Sequence, residues 1–127
     1  MTPVRPVRAV VLLSGNGSTL QNFLDRATAG TCPIAVVGVV ASRPDAFGLE
    51  RAWKAGIPGS VVIVDPRHPE RAADALTEAV DRYSPELVLL CGFNHLWLFP
   101  ERFTGRVMNV HLPGLFKNII IHWQGWH

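Results

Sequence analysis

A strand-like run, a turn with two glycines and a helix-like run follow one another between Ala9 and Leu24. The run Ala9–Leu13 is apolar and rich in β-branched residues, which is typical of a strand covered on both faces. Gly15 and Gly17 permit backbone angles and close approaches that a Cβ would block. This order of elements places free backbone N–H groups and the positive end of a helix dipole at one spot. The stretch therefore predicts an anion site, for which phosphate is the expected ligand.

The helix after the turn is predicted from its cap and from its apolar spacing. Ser18 and Gln21 have the spacing of a capping box, so Ser18 is expected to cap the helix. Apolar residues then repeat at helical intervals. They are expected to face the sheet: Leu20, Phe23, Leu24 and Ala27.

Two other interpretations of the glycine turn stay open. A dinucleotide-binding fingerprint would place a third glycine where Leu20 stands, and an acidic residue after the second strand, where the sequence reads Ala41, Ser42, Arg43. Arg43 could instead meet a 2′-phosphate, which keeps an NADP site as an alternative. The turn could also serve the backbone alone and bind no ligand. The sequence contains no Gly-Lys-Ser/Thr, which excludes a P-loop nucleotidase.

Strand-like and helix-like segments alternate along the rest of the chain. Gly56 has the position of a helix C-cap, Pro69 suits a first helical turn, and a short helical turn is expected near Pro100. This alternation predicts an α/β fold with a doubly wound, mostly parallel sheet, whose ligands bind at the carboxyl ends of the strands. Strands are predicted at about 8–13, 34–41, 61–64, 87–92 and 107–111, and helices at about 18–29, 45–55 and 69–83.

Composition narrows the class of protein. The net charge is +2 and the basic residues are scattered, which argues against a nucleic-acid partner. The apolar run Ile34–Ala41 is far too short to span a bilayer, and Ala9–Leu13 is too short for a signal peptide, so no membrane partner is expected. Cys32 and Cys91 lie in or beside apolar runs, as buried thiols of a cytoplasmic protein do. The five histidines and two cysteines have no metal-ligand spacing, so no metal is predicted.

The end of the fifth predicted strand carries two groups that suit acyl-transfer chemistry. Asn109 and His111 are two residues apart, so on a strand they share a face, with Cα atoms about 6–7 Å apart. An amide N–H₂ can donate to a developing oxyanion, and an imidazole can carry a proton near neutral pH. The alternative is an ordinary strand end whose polar groups meet solvent.

Several strings in order give the chain a resemblance to a known family. SGNGSTLQ, DAFGLERAWKAGI, LVLLCGF and MNVH, between about Arg8 and His111, closely resemble phosphoribosylglycinamide formyltransferase. The resemblance implies transfer of a formyl group from 10-formyltetrahydrofolate to glycinamide ribonucleotide, in purine synthesis. It also implies a Rossmann-like formyltransferase fold, here the amino-terminal portion of the domain, truncated after the fifth strand.

The resemblance also implies roles for particular residues. Asn109 and His111 match the catalytic pair, and Arg71 best fits an arginine that contacts the folate. Thr19 replaces an asparagine that is usual at the phosphate-binding turn. His95 and Trp97 replace an arginine and a leucine at the loop that lines the folate pocket. The implied substrate-binding residues are Gly17, Ser18 and Thr19, and the implied cosubstrate-binding residues are Arg71, Asn94, His95, Leu96, Trp97 and Asn109.

The tail departs from the family. Residues 1–111 are interpreted as the nucleotide-binding domain and residues 112–127 as a divergent tail, the product of a shifted reading frame or a shortened gene. The family's orienting Asp has no counterpart after His111, so we expect low or no turnover from this chain. The apolar segment Ile119–Trp123 at a sheet edge predicts stickiness or a homodimer.

Three functions remain in competition at this point. The first is the glycinamide ribonucleotide formyltransferase. The second is a related formyl-folate enzyme that acts on methionyl-tRNA or hydrolyses the formyl group. The third is a module that binds a nucleotide or phosphate without turnover.

Overall fold

The computed structural model describes residues 5–30, 32–111 and 120–123. Strands and helices alternate through the first five strands. Within the described ranges, no helix has the length and apolar character needed to cross a membrane. In chain order the elements are β1 Val7–Leu13, α1 Ser18–Thr28, β2 Ile34–Ala41, α2 Phe47–Lys54, β3 Gly59–Val61, α3 Pro69–Asp81, β4 Leu87–Cys91, a 3₁₀ turn Glu101–Phe103, β5 Val107–His111 and β6 Ile120–Trp123.

One sheet runs through the molecule in the order β3-β2-β1-β4-β5-β6. The first five strands are parallel, and β6 is antiparallel to β5. The predicted doubly wound, mostly parallel sheet is therefore confirmed. The prediction that the sheet is truncated after the fifth strand is wrong, because residues 120–123 pair along β5, with Ile120 opposite His111. The predicted homodimer stays a prediction.

The core has two layers, one on each face of the sheet. Helices α1 and α2 cover one face, where Leu20, Phe23 and Leu49 pack on the central strands. Helix α3 covers the other face, where Leu76 and Val80 are fully buried. From β1 the chain adds β2 and β3 on one side of the sheet, and then β4 and β5 on the other side. This reversal of strand order leaves a crevice between β1 and β4.

Most predicted segments match the structure within two residues, and the third strand is the exception. It was expected at 61–64 and lies at Gly59–Val61. Its partner β2 ends at Ala41, opposite Val61, so the chain beyond has no strand left to pair with. Ala27, expected to face the sheet, is exposed near the end of α1.

The predicted capping box at the start of α1 is wrong. Gly17 is the N-cap, with φ +80° and no side-chain cap, and Ser18 is the first helical residue. The carbonyl of Gly17 accepts the first helical bond from the N–H of Gln21 at 2.9 Å. The Gln21 amide donates to Asp25 instead of reaching back to the turn. The helix start is therefore left without a protein cap.

Candidate active site

The turn after β1 presents a row of unpaired N–H groups. Residues 18–20 begin α1, where backbone N–H groups have no acceptor one turn earlier. Within the described chain, no backbone or side-chain oxygen accepts a bond from the N–H groups of residues 15–20. Ser18 is exposed, while Gly17 and Thr19 are buried. Together with the helix dipole, these donors have the character that an anion site needs, and the predicted anion site stays a prediction.

The turn is shaped by a close approach of two glycines. A Cβ on Gly17 would lie 2.5 Å from the Cα of Gly48, and a Cβ on Gly48 would meet the side chain of Leu13 at 2.5 Å. The N–H of Gly48 donates to the carbonyl of Gly15 at 3.1 Å. The start of α2 therefore packs against the turn. This contact requires glycine at position 17, and glycine at position 48 leaves room for the Leu13 side chain.

Arg51 of α2 holds the turn from the side. Its Nε donates to the backbone carbonyl of Asn16 at 2.8 Å, and its Nη2 donates to the Oδ1 of the same residue at 2.7 Å. Nη1 lies 3.4 Å from the Oε1 of Gln21. The guanidinium carbon stacks over the ring of Phe47, 4.9 Å from its centroid. Within the described residues Arg51 forms no ion pair with a carboxylate.

Ser14 connects the turn to the loop that follows β4. Its hydroxyl is buried and accepts bonds from the Ser42 hydroxyl at 2.7 Å and from the N–H of Asn94 at 2.9 Å. Its own N–H donates to the carbonyl of Gly92 at 3.1 Å. These bonds close the crevice between β1 and β4 at its base and fix the loop beside the glycine turn.

Asn109 lies on β5, near its carboxyl end. Register pairs it with Leu90 of β4, which in turn pairs with Leu12 of β1. Strands β1 and β5 are two strand spacings apart, about 10 Å. Asn109 is half-buried on the face covered by α3, the face to which Leu90 belongs. His111 follows two residues later as the last residue of β5.

The loop after β4 borders a cavity of about 290 Å³. Asn94, His95 and Leu96 form one wall, and Leu96 is 69 % exposed. The walls opposite come from the segment before α3 and from its first turn: Val64, Asp65, Pro66, Pro69 and Ala72. Its size is at the lower end for a small-molecule pocket, enough for one ring system of a larger ligand.

Arg71 borders a second cavity of about 290 Å³, which adjoins the first. The two share Asp65 and Ala72 in their linings, and His68 lies beside Arg71 in the second. Arg71 is exposed on the first turn of α3. The predicted cosubstrate residues 71 and 94–96 thus lie along one continuous surface.

Trp97 is placed differently from the other predicted cosubstrate residues. Its indole is 4 % exposed and packs against Phe99 and Phe103 in the core under α3. The indole N–H donates to the Thr77 hydroxyl at 3.2 Å. The side chain anchors the loop, so only its backbone can face a ligand.

Two groups in this part of the fold have shifted pKa values: Asp65, which lines both cavities, and Cys91, the last residue of β4. Hydrogen bonds from Arg67 lower the pKa of Asp65, which keeps this carboxylate charged. Burial raises the pKa of the Cys91 thiol to about 12, so it stays protonated and unreactive at neutral pH. No group of three or more potential metal ligands occurs in the described ranges.

Sequence reasoning missed three residues that build the site. Ser14, Gly48 and Arg51 were all within quoted strings, but no role was predicted for them. Their contacts join residues 28 to 80 positions apart, which no local pattern reveals. A glycine and an arginine at helical spacing on α2 were the only local signal.

Known proteins resemble this chain in sequence and in fold. The formyl transferase family matches residues 7–118, which extends past His111 into the segment predicted as a divergent tail. Phosphoribosylglycinamide formyltransferase of Escherichia coli is 38 % identical over 105 residues, covering 80 % of this chain and 50 % of the relative. The enzyme of the same name from Mycobacterium tuberculosis is 40 % identical over 114 residues, covering 86 % and 51 %.

Solved structures of related proteins have a similar fold. Glycinamide ribonucleotide transformylase 1 from Symbiobacterium toebii superposes with a TM-score of 0.72 at 34 % identity, covering 89 % of this chain and 57 % of the other. A formyltetrahydrofolate deformylase from Pseudomonas putida gives 0.73 at 28 % identity, covering 93 % and 42 %. The chain spans about half the length of the curated relatives that it matches. On the family match and the shared fold, the chain belongs to the formyl transferase family.

Proposed function

We propose that this chain carries the substrate-binding half-site of a phosphoribosylglycinamide formyltransferase, which moves a formyl group from 10-formyltetrahydrofolate to the amine of glycinamide ribonucleotide. One observation supports the proposal most strongly. The unpaired N–H groups of Gly17–Thr19 follow β1, Asn109 lies on β5, and β4 runs between these two strands, in a chain of the formyl transferase family.

Glycinamide ribonucleotide brings a phosphate to the glycine turn. Gly17, Ser18 and Thr19 would bind it through backbone N–H groups at the positive end of α1. The ribose and the glycinamide arm would then extend past the loop after β4 toward β5. About 10 Å separates β1 from β5, which suits a phosphorylated sugar that carries a short amine arm.

The formyl-folate would lie along the surface formed by the loop after β4 and the start of α3. Asn94, His95 and Leu96 border a cavity suited to one ring system, and Trp97 contributes through its backbone. Arg71 lies in the adjoining cavity, where its charge suits a carboxylate of the cosubstrate. These contacts are part of the proposal, as is a cytoplasmic location, in which free thiols persist.

The chemistry needs one oxyanion donor and one proton carrier. The substrate amine attacks the formyl carbon, which forms a C–N bond and a tetrahedral oxyanion. Asn109 would donate to that oxyanion. His111 would take the proton from the attacking nitrogen and give it to N10 of the folate as the old C–N bond breaks. Formylated nucleotide and tetrahydrofolate result.

Turnover by a polypeptide of these 127 residues is expected to be low. The sequence contains no Asp or Glu after Glu101. A catalytic histidine without an orienting carboxylate is poorly aligned, and loss of the Asp function in the Ser-His-Asp template costs about 10⁴ in rate. Substrate binding is therefore a sharper test of the proposal than turnover.

A thermal melt with and without millimolar glycinamide ribonucleotide provides that test. A ligand at 100 times its Kd stabilises a fold by about 2.7 kcal/mol, which is several degrees for a domain of this size. We expect an upward shift with glycinamide ribonucleotide and none with NADPH. A shift with NADPH alone would favour the dinucleotide interpretation, and no shift with either would contradict the substrate assignment.

Hydrolysis of the formyl group is the second candidate, because the deformylase from Pseudomonas putida shares the fold at 28 % identity. The two reactions differ in their acceptor. A hydrolase would release formate without glycinamide ribonucleotide, whereas the proposed transferase needs the nucleotide. The unpaired N–H groups of the glycine turn favour the phosphorylated acceptor.

A further inference from the structure

We propose that Arg51 is a positioning residue for the substrate phosphate: it fixes Asn16 so that the N–H groups of Gly17–Thr19 converge on one anion, and its positive charge strengthens that site. This inference rests on the proposed function, because it concerns the same turn. Arg51 itself lies on α2 and needs no contact with the substrate.

The geometry of the guanidinium supports the statement that Arg51 fixes Asn16. Nε and Nη2 bind the backbone carbonyl and the side-chain oxygen of one residue, Asn16, at 2.8 and 2.7 Å. Two parallel bonds from a planar fork fix both the position and the orientation of that residue. Because Asn16 immediately precedes the N-cap Gly17, the fork sets where the free N–H groups of the turn point.

The surroundings of the guanidinium support the statement that its charge strengthens the anion site. It stacks on Phe47 and approaches Gln21, both neutral, and within the described residues it has no carboxylate partner. The Cδ of Arg51 lies 3.2 Å from the position that a Cβ on Gly17 would occupy. A positive charge beside the start of α1, with no carboxylate within 4 Å in the described residues, raises the attraction for an anion beyond the helix dipole alone.

Arg102 offers a matched control within the same chain. It also stacks on a phenylalanine, Phe103, at 4.5 Å, and forms a two-pronged contact, here with Asp81 at 2.9 and 2.6 Å. Its contacts are at the C-terminal end of α3, outside the linings and bonds that build the candidate site. Substitution of Arg102 therefore measures the cost of losing such a fork without touching the turn.

The test compares Arg51→Gln, Arg51→Lys and Arg102→Gln in the 127-residue chain. Binding of glycinamide ribonucleotide and of inorganic phosphate is measured by calorimetry at two salt concentrations, and thermal stability by calorimetric melts. Charged hydrogen bonds of this kind correspond to about tenfold to a hundredfold in affinity. We expect Arg51→Gln to weaken nucleotide binding by at least tenfold and to flatten its salt dependence.

The lysine variant separates charge from geometry. Lysine keeps the charge but replaces the planar fork by a point donor. We expect Arg51→Lys to retain the salt dependence and to recover only part of the affinity. Arg102→Gln should leave binding unchanged.

Three outcomes would contradict the inference or the proposed function. If the unaltered chain binds glycinamide ribonucleotide and Arg51→Gln binds it equally well, the inference is wrong while the proposed function stands. If Arg51→Gln melts at a lower temperature than Arg102→Gln but binds the nucleotide normally, the role of Arg51 is purely structural and the inference is likewise wrong. If the unaltered chain binds neither ligand, the proposed function fails.

Discussion

Substitution of Gly17 by alanine tests the close approach of α1 and α2 at the glycine turn. Gly17 has φ +80°, and a Cβ there would lie 2.5 Å from the Cα of Gly48. A left-handed conformation costs a non-glycine residue roughly 1–2 kcal/mol. Relief of the backbone clash by moving α2 adds about 1–3 kcal/mol, as for overpacked cores. We expect a total loss of about 2–5 kcal/mol in the free energy of unfolding.

Two other glycines serve as matched controls for that substitution. Gly30 also has positive φ, +74°, but a Cβ there meets nothing within 4 Å, so Gly30→Ala measures the left-handed cost alone. Gly15 belongs to the same turn, and a Cβ on it has open space, so Gly15→Ala should change stability little. Urea unfolding gives all three values. If Gly17→Ala lowers the free energy of unfolding by no more than Gly30→Ala does, the close approach of Gly17 and Gly48 does not affect stability as described.

Three further expectations follow from other contacts. Ser14→Ala removes the buried acceptor of the Asn94 N–H and should lower the free energy of unfolding in urea by about 1–3 kcal/mol. Ser42→Ala leaves that acceptor in place and should cost less. Equal losses would contradict the assigned bonding. Cys91 should resist iodoacetamide at pH 8 in the folded chain, because burial raises its pKa to about 12; rapid labelling of this residue would refute that. Arg5 lowers the pKa of Glu86, so the stability that this pair contributes is present above the unfolded-state pKa and is lost as pH falls through the lower folded-state pKa. Glu86→Gln should weaken that acid dependence in melts below pH 5, and an unchanged profile would show that the pair contributes nothing.

The sequence predicted the order of elements because each carries its own local signal. Strand β2 was predicted with its observed bounds, Ile34–Ala41, because it is an apolar run that ends at a turn signal. The glycine turn was predicted as an anion site for the same reason: strand, glycines and helix start are consecutive residues.

The rest depends on contacts between distant residues. The capping box at Ser18 was wrong because Gly17 takes a left-handed conformation supported by Gly48, a residue 31 positions later. Strand β6 was missed because a segment of four apolar and polar residues becomes a strand only where β5 offers it an edge. Arg51 was not predicted because its target, Asn16, lies on another element. Pairing and support of this kind arise only once the chain is folded.

Binding of the substrate phosphate at the glycine turn can be tested directly by NMR. The ¹⁵N-labelled chain is titrated with glycinamide ribonucleotide, and the backbone amide resonances are followed. We expect the amides of Gly17, Ser18 and Thr19 to shift first and furthest, because their N–H groups bind the phosphate. Saturable shifts confined to residues outside the glycine turn, or no shifts at millimolar ligand, would contradict it.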